Sequence, residues 1–157
     1  MIGFLLAVAA ASQPLPEGTE MLTFSATPTY RPAVRVRVGA IGGRSTEGGE
    51  HYWFERVHSA APQRQWTDSR TCQGASAVLA ARGDILLPSL VPLASGEFVV
   101  VADGTHYRLE SAIFGPSGRV GSISLTGNNN TELSSWVEQM LATLDRCWSH
   151  DRPQIGD

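Results

Sequence analysis

The chain has two cysteines, Cys72 and Cys147, and each sits beside a different helical signal. Cys147 closes an apolar stripe. Leu133, Trp136, Val137, Met140, Leu141, Leu144, Cys147 and Trp148 recur at steps of three and four, the spacing of one face of an α-helix. Asn130 or Thr131 can cap its start, Glu132 suits the positive end of the helix dipole, and Arg146 suits the other end. Cys72 follows Thr67, Asp68 and Ser69, all good capping residues. The alanine-rich stretch 70–82, which stops at Gly83, predicts a second, shorter helix with Cys72 in its first turn. A Cys72–Cys147 disulfide would tie the start of the short helix to the end of the long one. The loop it closes is about 75 residues, for which chain entropy gives at most roughly 4 kcal/mol. A reactive thiol or a zinc site is the weaker reading, because neither cysteine belongs to a C-x-x-C pair.

Paired cysteines in a small domain point to an oxidising compartment. The start of the chain agrees. Residues 1–11, MIGFLLAVAAA, are apolar and end in small residues, and no charged side chain precedes Glu17. This reads as the core of a secretory signal, cleaved before Ser12 or Gln13, although no Lys or Arg precedes the run. The run is shorter than the roughly 20 apolar residues that cross a bilayer, so no membrane span is expected in the mature chain. The expected organisation is a cleaved signal over residues 1–12, one domain over 13–148 and a flexible tail over 149–157. The expected location is periplasmic or secreted.

The mature chain then alternates short strand signals with turns. Residues 19–26 predict a strand. Val34, Val36 and Val38 alternate with Arg35 and Arg37, the pattern of a half-buried strand whose arginines face outward. Arg31 has the same parity. The five glycines of residues 39–49 predict a flexible connection, since no G-x-G-x-x-G spacing is present. Residues 50–58, EHYWFERVH, form a strand by their aromatic and β-branched content. Residues 59–67 read as a polar connection, which would leave Trp66 exposed. Residues 84–96 are apolar but broken by Pro88 and Pro92, so their leucines, Leu86 and Leu90 among them, either cover the core or form a binding patch. Residues 97–114 predict a hairpin about Asp103 and Gly104 that pairs Val100 with Tyr107 and Phe98 with Leu109. Residues 119–125 predict a last strand with a bulge near Gly121.

The composition removes several chemistries. All twelve basic residues are arginine, so Schiff-base chemistry, Ser-Lys dyads and a P-loop lysine are excluded. A net charge of −3 argues against broad nucleic-acid binding. No G-x-S-x-G elbow is present. His51, Glu55 and His58 would align toward a metal only in a helix, and the segment reads as a strand. His106, near Asp103, Arg108 and Glu97, is the best-placed candidate base. No cofactor and no metal is called for.

These readings combine into an α+β domain: a curved, mostly antiparallel sheet of five or six strands, two helices on one face and one disulfide. The leading function is a non-catalytic binding or interaction protein for a protein or small-molecule ligand. Arg35, Arg37, Trp66, Leu86 and Leu90 are its candidate contact residues. A small hydrolase centred on His106 and a structural envelope component are the alternatives.

Overall fold

The computed structural model describes residues 20–41, 50–85, 104–114 and 120–153. They form one antiparallel sheet of six strands with two helices on one side. The strands are β1 (Glu20–Pro28), β2 (Val34–Ala40), β3 (Tyr52–His58), β4 (Ala61–Asp68), β5 (Thr105–Phe114) and β6 (Val120–Gly127). The helices are α1 (Ala75–Ala80), extended by a 3-10 turn over Ala81–Asp84, and α2 (Glu132–Leu144). The spatial order is β4-β3-β2-β1-β5-β6. The first four strands are a meander, and β5 returns to the free side of β1. None of the described helices is long and apolar enough to cross a membrane.

Period-two alternation decides which side chains meet the helices. Leu22, Phe24 and Ala26 of β1, Val36 and Val38 of β2, Phe54 of β3, and Tyr107 and Leu109 of β5 form one buried cluster with Val78 and Leu79 of α1 and the α2 stripe. In that stripe Leu133, Trp136, Val137, Met140 and Leu144 are buried, as their spacing predicts. Trp136 meets Phe24 edge-on, with ring centroids 5.3 Å apart, and its indole N–H donates to the Val78 carbonyl at 2.8 Å. One residue thus locks sheet, long helix and short helix together. Thr131 caps α2, accepting from the Ser134 N–H while the Ser134 hydroxyl accepts from the Thr131 N–H. The Tyr107 hydroxyl donates to Glu138 and fixes β5 beneath the same helix.

Cys72 and Cys147 form the expected disulfide, with Cα atoms 5.6 Å apart. The helix that Cys72 was expected to begin is shorter than its sequence suggests. Asp68 turns the chain instead of starting a helix: its carboxylate accepts the backbone N–H groups of Arg70 and Thr71 at 2.8 and 3.0 Å. Gly74, at a φ of 87°, then sets the first turn of α1 in a conformation that glycine adopts without strain. Cys72 therefore precedes α1 and is fully buried.

Two further expectations are corrected. The stretch 59–67 is not a polar connection, because Ala61–Asp68 is the edge strand β4. Its polar composition fits an edge, where one side of the ladder has no further strand to pair. β5 is paired on both sides by β1 and β6, with Tyr107 opposite Ala26 and Gly127 and Leu109 opposite Phe24 and Leu125, and the expected partners Phe98 and Val100 lie outside the described residues. Residues 86–103 otherwise lie outside the described segments, as do 1–19, 42–49 and 115–119. The pairing of β6 with β5 also runs unbroken from Gly127 to Val120, without the bulge expected at Gly121. The irregularity lies in β1 instead, between Glu20 and Leu22.

The segment expected to run free after Trp148 is held as far as Arg152. Trp148 stacks under Arg56, 4.5 Å from its guanidinium, on the helix side of the sheet. Ser149 exchanges backbone hydrogen bonds with Trp66 at 2.7 and 2.9 Å, covering the edge of β4. Arg152 then lies over the Trp66 ring at 5.4 Å. The disulfide anchors the root of this strap. Replacing both cysteines by alanine should lower the unfolding free energy by about 2–4 kcal/mol in a denaturant titration. An unchanged midpoint would show that the helices hold each other without the bond.

Candidate functional site

The sheet face away from the helices carries the chemistry. Strand register places Ser25, Arg35, Val57 and Arg64 in one row across β1 to β4, continued on β5 by Arg108 and on β6 by Thr126. The neighbouring row holds Thr23, Arg37, Glu55 and Trp66, with Glu110 on β5. The outward parity that the Val-Arg alternation predicts for Arg35 and Arg37 is what brings them here.

Glu55 is the unusual member of the second row. It is 1% exposed, although both described helices lie on the other side of the sheet. Isolated charges are not buried at so little surface without compensation. Two arginines provide it: Nη1 of Arg37 donates to Oε2 at 2.9 Å and Nη1 of Arg64 donates to Oε1 at 2.8 Å. Arg37 also spans to Glu20, donating from Nε at 2.9 Å and from Nη2 at 2.6 Å. Thr23 completes the chain by donating its hydroxyl to Glu20 at 2.7 Å. The bulge in β1 sets Glu20 opposite Gly39 and within reach of Arg37. Burial works against the charge on Glu20, but the bonds from Thr23 and Arg37 outweigh it and hold its pKa below the ordinary carboxylate value. Burial likewise works against Arg37, and its two glutamates reverse that and push its pKa up.

Arg37 is thus committed to the protein. Arg35 is not: it is exposed and makes no hydrogen bond or ion pair with the described residues. Arg64 spends one nitrogen on Glu55 and leaves its side chain 56% exposed. Between them lies an open cavity of about 550 Å³ bounded by Ala33, Val57, Ser59, Glu20 and Glu55 as well as the arginines. Arg108 is half exposed and donates to Glu110 at 2.6 Å. Guanidinium groups stay charged at any physiological pH and present several donors in a plane, so they suit carboxylate or phosphate oxygens. They do not exchange protons with a substrate near neutrality.

Trp66 belongs to this face but is packed, not presented. It is 8% exposed in a small cluster with Trp53 and Ile41, its ring centroid 6.1 Å from that of Trp53. Its expected exposure followed from reading residues 59–67 as a connection. Close packing here extends to Gly39, where a Cβ would stand 2.3 Å from the Trp53 ring. Leu86 and Leu90 lie outside the described residues. His106 is exposed, and its Nδ1 lies 3.4 Å from the side-chain oxygen of Asn128, an amide rather than an acid or a hydroxyl. His51, Glu55 and His58 are not aligned, since the segment is strand and Glu55 turns to the arginines. Among the described residues no group of three or more His, Cys, Asp or Glu could hold a metal. Comparison with family models, curated proteins and solved structures returns no match.

Sequence reasoning placed Arg35 and Arg37 on this face, named Glu55 and Arg108 only beside candidate histidines, and missed Arg64 and Glu20. Arg64 was hidden by the misread connection. Glu55 had a usable signal: it shares a strand side with Trp53 and would cross the Val-Arg strand at the level of an arginine.

Glu20 and Asp68 make the face sensitive to acid. Burial works against the Asp68 carboxylate too, but the Arg70 side chain and the N–H groups of Thr71 and Arg70 hold its pKa below the usual value. Both groups bind protons more weakly folded than unfolded. Their contribution is therefore complete above the unfolded carboxylate range, about pH 4, and is lost as pH falls through the lower native values. The urea midpoint should drop as pH is lowered below about 4, and Asp68→Asn should flatten that drop while keeping an acceptor for the turn. A midpoint independent of pH there would contradict the assignment.

Proposed function

We propose that the chain is an exported, non-catalytic binding domain that holds an acidic partner on the open face of its sheet. The observation that carries this reading is Arg35. An exposed guanidinium that makes no hydrogen bond or ion pair with the described residues stands beside a cavity, across Val57 from a second arginine that uses one of its nitrogens. The same cavity is floored by an ion-paired network that keeps Arg64 in place. An anion entering it would meet the Arg35 guanidinium and the nitrogens of Arg64 that Glu55 does not use.

Export is supported by the disulfide and by the apolar leader with small residues at its end. Binding without catalysis is supported by the donor set. Arginines recognise anions without exchanging protons, and Glu20, Glu55 and Glu110 are each engaged by an arginine.

Titration of the ¹⁵N-labelled protein with inorganic phosphate tests the reading. The Nε–H resonances of Arg35 and Arg64 should shift and saturate, with a Kd on the order of 1 mM for so small a probe. Arg146, exposed beyond the end of α2, serves as the control. Shifts at Arg35 and Arg64 no larger than at Arg146 would remove the proposal.

A further inference from the structure

We infer that β6 is a docking edge for a second copy of this chain, and that two copies join β6 to β6 about a two-fold axis at Ser124. The sheet would then run on from one copy into the other. The inference does not depend on what the arginine face holds.

The two edges of the sheet differ in kind. β4 carries Pro62, Arg64 and Asp68, and Ser149 pairs with it at Trp66. Proline, charge and a covering segment are what keep an edge strand from pairing with another chain. β6 lies at the other end of the sheet and has none of these among the described residues. Its eight residues, Val-Gly-Ser-Ile-Ser-Leu-Thr-Gly, include no charged side chain and no proline. Its register with β5 is unbroken, so no bulge turns it away. Among the described residues β5 is its one strand partner. A regular, uncharged strand with backbone donors and acceptors along its outer side is a template for one more strand.

The sequence of β6 selects the occupant. Outward from Ser124 it is the same in kind in both directions: Ile123 and Leu125, then Ser122 and Thr126, then Gly121 and Gly127. Antiparallel pairing about Ser124 therefore sets Ile123 against Leu125 of the second copy, Ser122 against Thr126, and glycine against glycine. Ile123 and Leu125 lie on the helix side, level with Ser111 and Leu109, and both are half-buried. Pairing would cover the apolar surface that they leave open. Ser122, Ser124 and Thr126 are exposed on the other side, where hydroxyl would meet hydroxyl. A shift of two residues sets Leu125 against Gly121 or Ile123 against Gly127. A shift of one turns the helix side of one copy against the open side of the other. Charge agrees with a self-match. A two-fold axis brings each side chain near its own counterpart, so a charge on β6 would meet its like. β6 has none, and opposite it on β5 Arg108 and Glu110 neutralise each other at 2.6 Å. Both open faces, each with Arg35 and Arg64, would lie on one side of the joined sheet.

The test is sedimentation equilibrium of the full chain, its disulfide intact, from micromolar to millimolar concentration. A monomer–dimer equilibrium is expected, and a weak one, because a single strand pair buries less than a standard interface. Ser124→Lys, at an exposed position, should raise the dimer dissociation constant about tenfold and leave the urea midpoint of the dilute monomer unchanged. Ser124→Cys reads the register. Directly opposed residues of an antiparallel pair have Cα atoms about 4.5 or 5.5 Å apart, within reach of a disulfide. Mild oxidation of Ser124→Cys should therefore yield a covalent dimer, whereas Ser122→Cys, set against Thr126, should yield little. A chain that stays monomeric throughout overturns the inference. Slow amide exchange along β6 in that monomer would give the edge to another segment of the same chain, and fast exchange would leave it to a foreign strand. A dimer that Ser124→Lys does not weaken, or that Ser122→Cys cross-links as well as Ser124→Cys does, also overturns it.

Discussion

A carboxylate buried at 1% exposure on the sheet face away from the described helices is the constraint around which this protein is arranged. Burying a carboxylate is costly unless it is paired and hydrogen-bonded, and two guanidinium groups do this for Glu55. Arg37 comes from β2 and Arg64 from β4, so the ion pairs stitch three strands side to side. Arg37 then recruits Glu20 from β1 and extends the stitching to a fourth. Removing one partner from such a set leaves a desolvated charge behind, which costs far more than an exposed salt bridge contributes. The network also decides what the face can offer. It uses up Arg37, half uses Arg64 and leaves Arg35 open, which divides structural arginines from candidate binding ones.

The opposite face is governed by a different physics. Apolar side chains of β1, β2, β3 and β5 meet the α2 stripe, and the Trp136 N–H ties that helix to α1. The disulfide adds a covalent link at the far end of the same pair of helices. From there the chain crosses from one face to the other: Trp148 under Arg56, Ser149 on the edge of β4, Arg152 over Trp66. This strap covers the β4 edge that would otherwise be open to pairing. It also seals the small Trp53–Trp66 cluster beside the arginine rows, so the rigidity of the helix side reaches the open face through a few residues.

Much of this was legible from local pattern. The Val-Arg alternation of residues 34–38 announced one strand and its two faces, and steps of three and four announced α2 with Thr131 as cap. The cysteine pairing followed from their places beside those elements. The sequence misleads where local signal and tertiary context disagree. Gln65, Trp66 and Thr67 lack the apolar alternation of a strand because β4 is an edge. Thr67-Asp68-Ser69 resembles a helix cap, but Asp68 satisfies its own turn. The open face was half legible for the same reason. Parity placed Arg35 and Arg37 outward, but only the register across strands brings Arg64 and Arg108 level with Arg35 and aims Glu55 at Arg37.

The central claim, that Glu55 and its arginines organise the open face, is tested most directly by a double-mutant cycle on Glu55 and Arg37 followed by urea unfolding. Arg37→Ala alone should cost about 3 kcal/mol, because it strips the buried carboxylate of its better-shielded partner. The double variant Glu55→Ala, Arg37→Ala should recover part of that loss, giving a coupling energy of more than about 1 kcal/mol. Single effects that add to within about 0.5 kcal/mol would mean that the two residues stabilise the sheet independently, and the account of this face would be wrong.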